Sequence, residues 1–302
     1  MGDSRDLGLS LAFSQLRAWV AAGGLKHYHG ESAVPSNAIL VPDTPPQEDF
    51  MQKATEGSNC IVAGIIPARW GSTRFPGKPL HRIAGKPLVQ HVWERCSGCR
   101  KLDRLLVATD DERIAEGVRE FGGEVVMTST NHPTGTDRLA EVMRRYPEFT
   151  HAINIQGDEP LIAPDLIDEL CTVLRNDSGC EMVTAANPLA PGAVEVSDPN
   201  VVKVVLDLAG RALYFSRSLI PFPRAEVAGL KYYRHKGIYG YSKEFLFRFV
   251  EWPPSLLERA ESLEQLRALE NGVRIQVVVT EDDSPGIDTP EQARILHQRL
   301  LS

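Results

Sequence analysis

Arg69, Arg74 and Lys78 stand within ten residues of one another in the run Pro67-Ala-Arg-Trp-Gly-Ser-Thr-Arg-Phe-Pro-Gly-Lys-Pro79, among glycine, proline and serine. Three cations on an open loop make a cradle for an anion, with Lys78 placed to meet charge developing on phosphate oxygens. The alternative is a solvated basic loop whose arginines decorate the surface. The run is not a Walker loop, because Gly71 to Gly77 is one residue too long and Pro79 follows Lys78 where Ser or Thr is required. No GxGxxG occurs, which removes the main support for a nicotinamide dehydrogenase.

Acidic and polar groups form further sets. Gln156-Gly-Asp158-Glu159-Pro160 follows an apolar run, which puts Asp158 at a strand's carboxyl edge, where a hard cation can bridge a carboxylate and a triphosphate. Asp288 precedes a helix start in Gly286-Ile-Asp-Thr-Pro290, and it reads either as a second carboxylate of that site or as a helix cap. Ala68, Arg69, Asp110 and the turn Thr134-Gly-Thr136-Asp-Arg138 are the candidates for nucleotide selection. Gly135 would let the chain approach a flat base closely. Asp110 and Arg138 fit a structural ion pair equally well. His235 and Tyr239, four apart on a strand, share a face, either in a site or as a packed surface with satisfied polar tips.

The elements that must carry these groups are legible as alternation. Short β-branched runs at 60–66, 104–108, 124–127, 151–155, 182–186, 201–206, 212–216, 234–241 and 275–280 predict strands. Amphipathic stretches near 86–97, 111–121, 136–145, 164–175, 243–250, 256–270 and 290–300 predict helices. Pro164 and Pro290 suit first turns, Thr289 a cap, Ser255 with Glu258 a capping box, and Asn271-Gly272 a helix end. The predicted fold is α/β, a Rossmann-like, mainly parallel sheet with helices on both faces, in which ligands bind beyond the carboxyl ends of the strands. Residues 187–241 are strand-rich and read as an antiparallel insertion or arm.

Composition narrows the class. Thirty-three Lys and Arg against forty Asp and Glu give a net charge of −7, the wrong sign for a nucleic-acid partner. No run approaches the roughly 18 apolar residues of a membrane span. Asp3 and Asp6 oppose a signal peptide, so the expected location is the cytoplasm. Cys60, Cys96, Cys99, Cys171 and Cys180 are odd in number and read as reduced thiols, since Cys96-Ser-Gly-Cys99 has no second ligand pair for zinc. Residues 1–59 are rich in proline and polar groups and form an extension, expected to be disordered or an artefact of the start site; the catalytic domain is 60–302.

The loop PARWGSTRFPGKPL followed by IAGKPLVQHVWER resembles the signature of the 3-deoxy-manno-octulosonate cytidylyltransferase family. VATDDERIAE, TGTDRLAEV, NIQGDEPLI, DPNVVKVVLD, ALYFSRSLIPF, RHKGIYGY, LEQLRALENG and GIDTPEQ follow in order, so the resemblance spans about 60–302. Trp70 and Phe75 stand where Tyr and Leu are commoner, Asp137 replaces a common Glu, and the loop before Tyr232 is short.

The resemblance implies transfer of a cytidylyl group from CTP to the anomeric hydroxyl of 3-deoxy-D-manno-octulosonate (Kdo), for lipopolysaccharide synthesis, by a homodimer. It implies Mg²⁺ held by Asp158 and Asp288, which takes the part of a general base, with Arg69, Arg74 and Lys78 against the phosphates. Pro67, Ala68, Asp110, Gly135, Thr136, Arg138 and Gln156 would complete the nucleotide site. The acceptor would be held by Gln156, by Arg217 on its carboxylate, and by His235, Tyr239, Glu264 and Gln265. Activation of another sugar acid, sialic acid or 8-amino-Kdo, is the alternative enzyme, and a silent nucleotide-sugar binding protein the alternative class. Translation from Met51 is the expected start, so the intact mass of the native protein should lack the first 50 residues; Met1 or Gly2 at the terminus would refute it.

Overall fold

Val62 to Ala68 are buried almost without interruption, as a strand covered on both faces requires, and this segment, β1, is the axis of the molecule. The computed structural model describes residues 60–71, 75–190, 192–225 and 227–301. The predicted extension 1–59 and Arg74 lie outside the described residues.

From β1 the chain passes through a hairpin, β2 (Arg82–Ile83) and β3 (Lys86–Pro87), into α1 (Leu88–Cys96). It continues through β4 (Arg104–Thr109), α2 (Glu112–Glu120), β5 (Val125–Met127), α3 (Gly135–Arg145), β6 (His151–Asn154) and α4 (Pro164–Asn176). Then come β7 (Met182–Leu189), β8 (Lys203–Leu206), β9 (Ala212–Ser216) and β10 (Tyr232–Ser242). Helices α5 (Lys243–Glu251), α6 (Leu256–Glu261) and α7 (Gln265–Glu270), strand β11 (Ile275–Val279) and helix α8 (Pro290–Leu301) complete it. The strands line up as β11-β7-β10-β6-β1-β4-β5, with β6, β1, β4 and β5 parallel. The chain leaves β1 toward β4 and β5 and returns to β6 on the other side, so β1 and β6 meet at a topological switch point.

Two expectations change. The segment 187–241 is antiparallel, but it is continuous with the main sheet: β10 runs between β6 and β7, and its beginning also carries β8, on which β9 is paired. The helix foreseen over 256–270 is two helices. Ser262 takes a left-handed φ of 54° and turns the chain between α6 and α7, while Arg267 grips Glu258 and the carbonyl of Trp252 across the bend. The capping box of Ser255 and Glu258 forms as expected, and Thr134 with Asp137 forms another that had not been foreseen.

Large apolar clusters fill the two faces of the sheet. A small third cluster joins Phe75 and Ile83 to Leu88, Ile287, Ala293 and Leu296, so α8 packs beneath the loop that follows β1.

On β10 the His235 ring packs edge-on against Phe215 at 4.9 Å and beside Tyr239 at 5.4 Å, with Nε2 3.0 Å from the Thr184 hydroxyl. Burial pushes its imidazole down to about 3. An unfolded histidine titrates near ~6.5, so below that pH the unfolded chain binds a proton that the folded chain refuses. Stability from neutral His235 is therefore present above ~6.5 and lost as pH falls toward the folded value, by about 2 kcal/mol at pH ~5. Urea unfolding at pH 7.5 and 5 should show this loss, and His235→Phe should lose less over the same interval. Equal pH dependence in both proteins would contradict the assignment.

Candidate active site

At the carboxyl ends of β1 and β6 lies a cleft of about 550 Å³. Its floor is the exit of β1 (Pro67, Ala68, Arg69, Gly71) against the exit of β6 (Asn154, Gln156, Gly157, Asp158). The two exits can close up because residue 157 is glycine: a Cβ there would stand 2.9 Å from the carbonyl oxygen of Pro67. The cation-bearing loop returns through a 3-10 turn that presents Lys78 and Pro79 to the cleft. Gly77 enters that turn with φ 69°, and its N–H donates to the carbonyl of Trp70 at 3.1 Å, which closes the loop on itself. The indole of Trp70 is covered in turn by the Arg113 guanidinium at 3.4 Å from its ring centre, and Asp111 holds that arginine.

The Lys78 ammonium donates to Asp158 Oδ2 at 2.7 Å and to Asp288 Oδ1 at 3.3 Å. These carboxylates meet because the backbone N–H of Ile287 donates to the carbonyl of Asp158 at 2.8 Å. The cap of α8 is Thr289, whose hydroxyl accepts from Gln292 N–H, while the Gln292 side chain accepts from the N–H groups of Asp288 and Thr289. The Asp288 carboxylate is turned to Lys78, and the cap of the helix is its neighbour Thr289. Two carboxylates from distant segments already share one cation, and an all-oxygen pair of this kind fits a hard divalent ion completed by phosphate oxygens and water.

The N-terminus of α3 forms one wall with Gly135 and Thr136. A Cβ on Gly135 would meet nothing closer than Pro67 at 3.7 Å, so packing within the chain does not demand glycine there, and a ligand lying on it would. Tyr239 and Glu264 also line the cleft. Glu264 accepts from the Thr136 hydroxyl at 2.6 Å; burial raises its carboxyl against the lowering effect of that bond and of Arg267. Gln156 is fixed by a 2.7 Å bond from its amide to the carbonyl of Gly237.

Other candidates stand outside the cleft lining. Arg138 is fully buried and donates to Asp110 at 2.8 Å and to Thr128, which ties α3 to the end of β4. Arg217 spends its guanidinium on the carbonyls of Glu261 at 2.8 Å and Pro199 at 3.2 Å. His235 sits behind Tyr239, and Gln265 is buried with its amide nitrogen unpartnered. Asn154, overlooked in the sequence, lines the cleft with a buried side-chain oxygen that has no hydrogen-bond partner. Its signal was an amide among the apolar residues Ala152, Ile153 and Ile155. Burial pushes the thiols of Cys99 and Cys171 up to about 12, so neither is readily a thiolate.

The family model for cytidylyltransferases matches residues 63–275. A 3-deoxy-manno-octulosonate cytidylyltransferase of Geobacter sulfurreducens is 50% identical over 249 residues, 79% of this chain and 99% of that protein. One of Thermodesulfovibrio yellowstonii is 48% identical over 255 residues, covering 80% and 98%. Among solved structures, CMP:2-keto-3-deoxy-manno-octonic acid synthetase complexed with CTP superposes with a TM-score of 0.76 at 41% identity, over 80% of this chain and 98% of that one. A cytidylyltransferase of Leptospira borgpetersenii shares the fold at 20% identity and a TM-score of 0.54, covering 79% of this chain and 85% of that one. Identity at this level over nearly the whole length of the relatives places the chain in the 3-deoxy-manno-octulosonate cytidylyltransferase family.

Proposed function

We propose that the protein transfers the cytidylyl group of CTP to the anomeric hydroxyl of Kdo, giving CMP-Kdo and pyrophosphate. The observation that carries this reading is Lys78 bonded to Asp158 and Asp288 at the mouth of the β1/β6 switch point, in a chain about half identical to enzymes named for that reaction. The acceptor oxygen bonds to the α-phosphorus, the bond from that phosphorus to the bridging oxygen breaks, and pyrophosphate leaves. Both reactants are anions, so the residues act chiefly by positioning them and offsetting charge. Arg69 and Lys78, with Arg74 from the same loop, would face the phosphates. Pro67, Ala68, Gly135 and Thr136 would flank the nucleoside and read cytosine through backbone groups.

Asp158 and Asp288 would hold Mg²⁺, which when bound supplies positive charge at the phosphate and acceptor oxygens. Tyr239, Gln156 and Glu264 would contact the sugar acid directly, with His235 and Gln265 behind them. Arg217 would take the acceptor carboxylate through the donors not already given to the carbonyls of Glu261 and Pro199. Asp110 and Arg138 would serve the nucleotide site by fixing α3.

The product would feed lipopolysaccharide synthesis in the cytoplasm. Among the described residues no helix is long and apolar enough to cross a membrane. A homodimer is proposed through the β8–β9 arm, where β9 is a sheet edge and Leu213 and Phe222 are exposed.

Asp158→Ala should lower turnover by about 10²–10³-fold with an unchanged thermal melt; near wild-type rates would remove Asp158 from the metal site. Pyrophosphate release should occur with CTP and Kdo, vanish in EDTA and fail with UTP. Release only with 8-amino-Kdo or N-acetylneuraminate would keep the nucleotide half and move the error to the acceptor side, whereas silence with every sugar acid would favour a binding protein.

A further inference from the structure

Lys236, on β10, is among the most buried charges of the chain, with its side chain 4% exposed. Its ammonium lies 3.5 Å from Glu159 Oε2 and 3.4 Å from Asp282 Oδ2, and donates to the hydroxyl of Ser284 at 3.1 Å. Those carboxylates are themselves nearly buried, at 11% and 9%. Glu159 is the residue after Asp158, and Asp282 with Ser284 opens the segment that ends in Asp288. One ammonium thus ties, from behind, the two backbone segments whose front faces carry the metal carboxylates.

The electrostatics require such a tie. Asp158, Glu159, Asp282 and Asp288 bring four carboxylates into one corner, where the nearby ammonium groups are Lys78 and Lys236. Lys78 faces the cleft and would be drawn toward phosphate, whereas Lys236 is walled in by the sheet. A charge removed from a buried cluster leaves its partners unpaired, and like charges then part. The direct links left between the segments would then be the Ile287–Asp158 backbone bond and the Ala163 N–H donated to Asp282 Oδ2 at 3.3 Å.

We propose that Lys236 is a positioning residue for the divalent ion: it sets the separation of Asp158 and Asp288 through Glu159 and Asp282 without touching the ion or the substrates. The inference rests on the metal site proposed above. The test is Mn²⁺ affinity, measured by electron paramagnetic resonance in the presence of CTP without acceptor, at a temperature where circular dichroism shows each protein folded. Lys236→Met should weaken Mn²⁺ about tenfold, as loss of outer-shell partners does, while Lys236→Arg should stay within about threefold of the unmodified chain. Asp282→Asn, which leaves Lys236 paired to Glu159, gives the milder perturbation should Lys236→Met not fold, and it should weaken Mn²⁺ several-fold. A merely structural lysine would lower the melting temperature and leave Mn²⁺ affinity unchanged. Unchanged affinity in Lys236→Met or in Asp282→Asn, with binding abolished in Asp158→Ala, overturns this inference alone. Absence of Mn²⁺ binding in the unmodified chain overturns the metal reading with it.

Discussion

Two carboxylates that repel one another have to be held within reach of a single cation, and they come from segments far apart in the chain. Asp158 leaves β6 at the centre of the sheet, and Asp288 stands just before α8. Water would separate them at little cost; in the cleft they are kept together by an ammonium, by a backbone bond and by packing around Ile287, which is 3% exposed. Much of the architecture follows from this. β1 and β6 must be adjacent and parallel so that the cation loop and Asp158 leave the sheet at one edge, and Gly157 must lack a side chain so that the two exits can touch.

The same edge is where the sheet changes direction. β10 runs antiparallel to β6, so Tyr239 pairs with Asn154 at the cleft floor, while the beginning of the strand carries β8, on which β9 is paired. Nucleotide and acceptor sides of the cleft are therefore neighbours in the hydrogen-bond ladder. The bend at Ser262 completes the enclosure. It turns Leu263 and Leu266 into the core while Glu264, between them, is left to meet Thr136 and the cleft.

The alternation of apolar runs made the sheet and its helices legible, and residue type singled out Lys78, Asp158 and, as one of two readings, Asp288, which the fold brings to one cleft. What stayed hidden depended on contacts across the chain. Strand periodicity places His235 and Tyr239 on one face, and they do share it, yet it cannot say that Phe215 lies against His235. Arg217 has the right type for a carboxylate clamp, but its partners are carbonyls supplied by two other segments. The β2–β3 turn was missed because Ala84, with φ 46°, occupies a position where glycine or asparagine is the usual sign. Lys236 was passed over within RHKGIYGY, since a lysine on a strand reads as an exposed charge until its two carboxylates are seen.

The small cluster that joins Phe75 to Ile287, Ala293 and Leu296 has a bearing on the order in which the protein comes into being. The loop after β1 is made early, and the helix that packs beneath it is made late. A ribosome that has finished β1 through β7 has produced the parallel strands β6, β1, β4 and β5 but not β10, which must stand between β6 and β7, and it has made one aspartate of the pair and nothing to close the floor under the cation loop. The nascent chain is thus an anion-binding loop without its second acid, and it gains both the acid and the support in the same short stretch of synthesis.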